Sequence, residues 1–324
     1  MIRLVVKFFG AVVTLILCLP NSVWANQLSF NKKTTDKSVQ FQYQWLDQAQ
    51  QPQSLSFSID KKTLFNRFRN FKSYKGMHAK RYIDQKIRKK LQQEPLPNVK
   101  VKFIGRGNNL QMQLQGKDQA AIEQAQRTIS ALEEDLMREH LAKNFYTQFA
   151  WYDNNYAIKP DHVRFAKESV NDFSTLKPLI LNSVSIQNIR QVSDYVLAFV
   201  QSIPYATLES RVTSSGAGFN PPLQLLWENQ GDCDSKVTLT AAIFRALMPR
   251  IKMQLVFIDN HALLAINIPS EGDELTITVD GLSYILAEPT GPALMRAGEL
   301  SAEAEFAIRN GRYYAEAFFA EPTP

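Results

Sequence analysis

The chain has 324 residues, 37 Lys plus Arg against 31 Asp plus Glu, a net charge of +6 and 45% hydrophobic residues. That balance excludes fibrous, collagen-like and wholly disordered proteins, and the length accommodates about two domains of roughly 150 residues each. Two cysteines exclude a disulfide scaffold and a four-thiolate zinc site, and no internal stretch reaches the roughly 20 apolar residues of a membrane span.

Met1 to Ala25 reads as a secretory signal. Arg3 and Lys7 charge its start, Phe8 to Leu19 is an apolar run, Pro20 breaks it, and Val23-Trp24-Ala25 offers a cleavage site. The reading implies a periplasmic or secreted protein. Cleavage removes Cys18 and leaves Cys233 as the one thiol, in a compartment where cysteines usually pair. A thiol with no partner in its own chain is a product of drift, an intermolecular bridge or a nucleophile.

Asn26 to Asp36 is polar and reads as loose. Val39, Phe41, Tyr43 and Trp45 then alternate with glutamines, and Leu55, Phe57 and Ile59 repeat the pattern, so two half-buried strands are predicted. A helical stretch follows over 61–93, with a possible break at Gly76 and a stop at Pro95 and Pro97. Val99 to Phe103 and Leu110 to Leu114 predict a hairpin, and 117–144 a long helix. Residues 26–145 therefore read as an α+β domain. Between Lys61 and Arg106 it carries 15 basic residues and two acids, Asp84 and Glu94. The basic run is either a solvated helix face balanced by the acids of the next helix or a patch for an anionic envelope surface. Phe65, Phe68, Phe71 and Tyr74 have the spacing of a helical core stripe. The strands carry no pattern of exposed aromatics for stacking bases, so no nucleic-acid partner is predicted.

Residues 146–184 are aromatic and irregular and read as a linker. A second α+β domain is predicted over 185–324: a helix at 185–201, a loop to Pro222, a helix from Cys233 to about Met248, and four strands at 253–258, 261–268, 275–279 and 284–287.

The chemistry centres on Cys233. Asp232 is placed to cap the helix, which puts the thiol in the first turn, where free amides and the helix dipole favour a thiolate. Asp234 is expected to point to solvent. A thiolate needs a base, and His261 opens a strand directly after Asp259-Asn260. A base needs an orienting group, and Glu288 ends a later strand, with Asp280 as the alternative. A metal site on Cys233 and His261 lacks further ligands, and no cofactor is predicted.

The segment from Pro222 to Pro292 resembles the transglutaminase-like cysteine hydrolases of the papain-like superfamily, which include bacterial periplasmic proteases. The resemblance rests on Trp227 with Gly231-Asp232-Cys233, the helix through Leu247, His261-Ala262 and Glu288-Pro289-Thr290. Tyr205 extends it upstream, so that it covers about 185–292. It implies Cys233 as nucleophile, His261 as base and Glu288 as orienting acid, acting on a protein or peptide amide through a thioester. The Cys233 amide would form half of an oxyanion hole, and Trp227, Gln224 and Tyr205 are the candidates for the remaining oxyanion and substrate contacts. The family usually has Asp at the third position and often an aromatic where this chain has Leu263. Some of its members have lost activity and only bind, so an inactive binding or envelope-assembly protein is the alternative.

Overall fold

A computed structural model describes residues 26–105, 110–209 and 218–319. The signal reading, Cys18 and Arg106 lie outside these ranges, as do parts of the 105–109 turn and the 204–222 loop. Among the described residues no helix is long and apolar enough to cross a membrane.

The chain opens with an antiparallel three-stranded sheet, β1 (Gln27–Thr34), β2 (Ser38–Leu46) and β3 (Pro52–Asp60), in that order. β1 corrects the expectation of a loose start. It is an edge strand with little apolar pattern, held by pairing along the length of β2. The alternation in β2 and β3 buries Val39, Phe41, Tyr43, Trp45, Leu55, Phe57 and Ile59 on one face.

The 61–93 stretch is two helices, α1 (Lys61–Asn66) and α2 (Gly76–Gln93), separated by a non-helical segment. The aromatic stripe is therefore not helical. Phe65 is exposed and stands edge-on to Trp227, while Phe68 and Phe71 join Phe165 and Phe219 in an aromatic cluster. α2, the hairpin β4 (Val99–Ile104) and β5 (Gln111–Gly116), and α3 (Gln119–Lys143) form a lobe in which α2 and α3 pack together and α3 packs on the hairpin.

Residues 146–184 are structured, contrary to their reading as a linker. They form the hairpin β6 (Tyr146–Ala150) and β7 (Tyr156–Pro160), α4 (His162–Ser169), a 3-10 turn at Val170–Phe173 and α5 (Leu176–Leu181). α6 (Ile189–Ser202), α7 (Pro222–Glu228) and α8 (Cys233–Leu247) follow. β8 (Met253–Ile258), β9 (His261–Ile266), β10 (Thr276–Val279), β11 (Leu282–Ala287), α9 (Ala302–Arg309) and β12 (Tyr314–Phe318) complete the chain. The second sheet is antiparallel in the order β10-β11-β9-β8-β12. α9 and β12 were not anticipated. β12 is fixed partly by the buried guanidinium of Arg245, which donates from α8 to the carbonyls of Ile251 and Phe318.

The fold is α+β, with antiparallel sheets and separate helices. Its core does not divide at residue 145. Tyr43 and Trp45 on β2 stand against Phe199 on α6 at ring-centroid distances of 5.0 and 5.3 Å, and the same apolar cluster runs on through α8 to β8 and β9. The first sheet thus covers one side of the helical layer whose other side packs on the second sheet. Apolar alternation marks a strand's buried face but not its partner, so the shared core was invisible in the sequence.

Candidate active site

Three chain segments converge at the start of α8. The Asp232 carboxylate caps the helix by accepting the Ser235 N–H at 3.0 Å, which leaves Cys233 as the first helical residue. Gly231 makes this approach possible: it pairs with Tyr205 in a short parallel bridge, and a Cβ at that position would lie 2.7 Å from the Leu225 side chain. The Cys233 thiol is buried, with 9% of the residue exposed.

His261 is placed by the β8–β9 hairpin, in which Asn260 takes the left-handed conformation (φ 57°) and Ile258 pairs with His261. Its Nδ1 lies 2.9 Å from Cys233 Sγ. β11 pairs with β9 so that Ala287 faces Leu264, and continuing that register sets Glu288 opposite Leu263, two residues along the strand from His261. The longer glutamate side chain spans this offset, and Oε1 lies 2.8 Å from His261 Nε2. Oε2 accepts the Ser301 N–H at 2.9 Å, just before α9. The Glu288 carbonyl accepts from Gln201 at 2.8 Å.

The electrostatics follow from these contacts. Burial disfavours the charged imidazole of His261, but its hydrogen bonds to Cys233 and Glu288 outweigh that and raise its pKa to about 10. Burial also opposes ionisation of Glu288, and the bonds from His261 and Ser301 prevail, so its carboxyl titrates below its ordinary range. Lys236, one turn into α8, is fully buried; desolvation lowers its pKa to about 7, and its ammonium donates to the Ile203 carbonyl. This bond ties α8 to the segment that carries Tyr205.

A cleft of about 420 Å³ opens beside the thiol, lined by Tyr205, Asp232, Asp234 and His261 together with Phe149, Trp151, Lys159 and Phe257. Asp234 lines this cleft with about a third of its side chain exposed (34%), so it does not point away into bulk solvent as expected. Of the three additional candidates, Tyr205 borders the cleft. Gln224 and Trp227 do not: both line a separate cavity with Phe65, Arg67 and Arg69. Gln224 donates to Glu228 at 2.7 Å, and Trp227 lies under Lys32, whose Nζ is 3.7 Å from the ring centroid. α7 ends at Asn229 in the left-handed conformation (φ 51°), so nearness in sequence to Cys233 does not carry over to the cleft. Asp280 sits in the β10–β11 turn, away from His261. The cleft residues of β6 and β7 were missed because their segment read as a linker; the alternation of Thr147, Phe149 and Trp151 was the signal.

Among the described residues no group of three or more His, Cys, Asp or Glu side chains could hold a metal ion. Comparison with protein-family models, curated proteins and solved structures finds no match to this chain.

Proposed function

We propose that the chain is an exported transglutaminase-like cysteine hydrolase that cleaves an amide bond in a protein or peptide. The observation that carries the reading is the continuous line from Cys233 Sγ to His261 Nδ1 (2.9 Å) and from His261 Nε2 to Glu288 Oε1 (2.8 Å). In this reading His261 takes the thiol proton across the 2.9 Å contact, giving a thiolate–imidazolium pair. Sγ attacks the carbonyl carbon, the C=O π electrons move to oxygen, and the Cys233 N–H at the start of α8 faces the developing charge. Collapse of the tetrahedral adduct expels the amine, which takes the proton from His261 Nδ1 and leaves a thioester on Cys233. His261 then deprotonates a water that attacks the thioester, releasing the acid and restoring the thiol. Glu288 holds the ring in register and stabilises its cationic form. Tyr205 borders the cleft at this point and is proposed as a substrate contact.

The lobe carries exposed Lys75, Lys86, Arg88, Lys89, Lys100 and Lys102, which supports a secondary role in docking the enzyme to an anionic envelope surface. The decisive experiment is the pH dependence of iodoacetamide alkylation of Cys233, with Cys233→Ala as blank and His261→Ala as comparison. A thiolate reactive well below the reference pKa of about 8.5, and lost in His261→Ala, supports the hydrolase. A thiol that titrates ordinarily and ignores the substitution overturns it and leaves an inactive binding protein working through its basic lobe.

A further inference from the structure

Among the described residues the cleft beside Cys233 is lined by three carboxyl groups, Asp232, Asp234 and Glu209, and by Lys159 and His261. Asp234 directly follows the nucleophile, and among the described residues no donor lies within hydrogen-bonding distance of its carboxylate. His162 Nε2 lies 3.6 Å from Asp234 Oδ2. That imidazole is fully buried, and burial together with the charge of Lys159 keeps it neutral. Its Nε2 has no hydrogen-bond partner among the described residues, and the neutral ring is not a counter-ion for Asp234. Lys159 and His261 both lie in the wall of this cleft and their charges act on Asp234, but each has a nearer partner: Lys159 Nζ lies 2.5 Å from Glu316 Oε2 and His261 Nε2 lies 2.8 Å from Glu288 Oε1.

On the other side Glu209 lines the same cleft. The phenol of Tyr205 reports how these charges converge: burial and then the negative charges of Cys233, Asp232, Asp234 and Glu209 all hold it in its neutral form. Trp151 and Phe149 add aromatic surface, edge to face at 5.5 Å, whose ring faces suit an ammonium or a guanidinium.

Resting on the hydrolase reading, we propose that the cleft selects substrates with a positively charged group, an ammonium or a guanidinium, next to the scissile amide, and that Asp234 is the specificity-determining residue that pairs with it. The pairing orients the carbonyl over Sγ and gives a buried aromatic cleft its preferred sign of charge.

The test needs no substrate. Cys233 is modified with two methanethiosulfonates of similar size, one bearing a trimethylammonium and one a sulfonate; each rate is corrected with Cys233→Ala and normalised to the same reagent's rate with a small free thiol. The expected normalised preference for the cation is about tenfold at low salt. It falls toward unity in Asp234→Asn and at high salt. A preference near unity in the wild type, or one that Asp234→Asn and high salt leave unchanged, overturns the proposal. Neutral iodoacetamide reports separately on the Cys233–His261 pair, so a failure of the subsite and a failure of the hydrolase reading are distinguishable. Peptides with Lys, Arg or a free α-amino group beside the amide then separate the sources of the charge: the favoured one loses kcat/KM in Asp234→Asn, and a peptide set with no cationic preference overturns the selection.

Discussion

The backbone N–H of Ser301 holds the carboxylate of Glu288 from the side opposite His261. Oε2 accepts that N–H at 2.9 Å while Oε1 meets the imidazole at 2.8 Å, so the two ends of one carboxylate are fixed by two different parts of the chain. Glu288→Asp shortens the side chain by one methylene and cannot keep both contacts. Loss of Cys233 alkylation at neutral pH is expected, and the proposed amide hydrolysis should fall on the order of 10²-fold. An aspartate variant with unchanged alkylation would show that the contact to Ser301 is dispensable.

The raised pKa of His261 makes a prediction about stability as well as reactivity. Its folded-state pKa of about 10 lies above the ordinary value of 6.5, so its stabilising contribution is complete below 6.5 and is lost as pH rises through about 10. Urea denaturation at a series of pH values should show this decline in the wild type. In His261→Ala the decline between these limits should be smaller.

Gly291 tests how the acid's loop is seated. A Cβ at that position would lie 2.1 Å from the Gln201 carbonyl oxygen, a backbone atom that cannot swing aside. The same glutamine holds the loop through its side chain, donating to Glu288 and to Met295 at 2.8 and 2.9 Å. Gly291→Ala should cost about 1–3 kcal/mol and slow alkylation of Cys233 by displacing Glu288. Denaturation midpoints and alkylation rates on the same sample measure both effects.

Because Trp45 and Phe199 meet in the core that also packs α8, the first sheet and α8 should unfold together. Phe199→Ala is expected to cost about 3–5 kcal/mol. Tryptophan fluorescence and the accessibility of the Cys233 thiol should report one midpoint in both proteins. Two separated transitions would contradict the shared core.

The order of elements in the second half of the chain was legible because each chemical residue occupies an element's end. Cys233 follows a capping aspartate, His261 follows a two-residue turn, and Glu288 follows the last residue of β11; local signals fix all three positions. What was not legible depends on contacts between distant segments. β1 has too few apolar residues to announce itself and forms only because β2 is there to pair with. Phe68 and Phe71 have helical spacing but are recruited by Phe165 and Phe219. Gln224 and Trp227 are near Cys233 in sequence, yet the left-handed turn at Asn229 directs them to another cavity.

The chain leaves the body for the lobe of α2, β4, β5 and α3 and returns to it at a neighbouring point, and α3 also packs on β6. Tyr146, where the chain re-enters, donates its hydroxyl to the Lys72 carbonyl at 2.9 Å, and its ring meets Phe71 and Tyr74. Departure and return are thus stapled side by side, so the span between them is an insertion in the chain order of the body. A short linker joining these two points could replace it without rethreading either sheet. The lobe is thus a part that could be lost, exchanged or engineered apart from the segments that carry Cys233, His261 and Glu288.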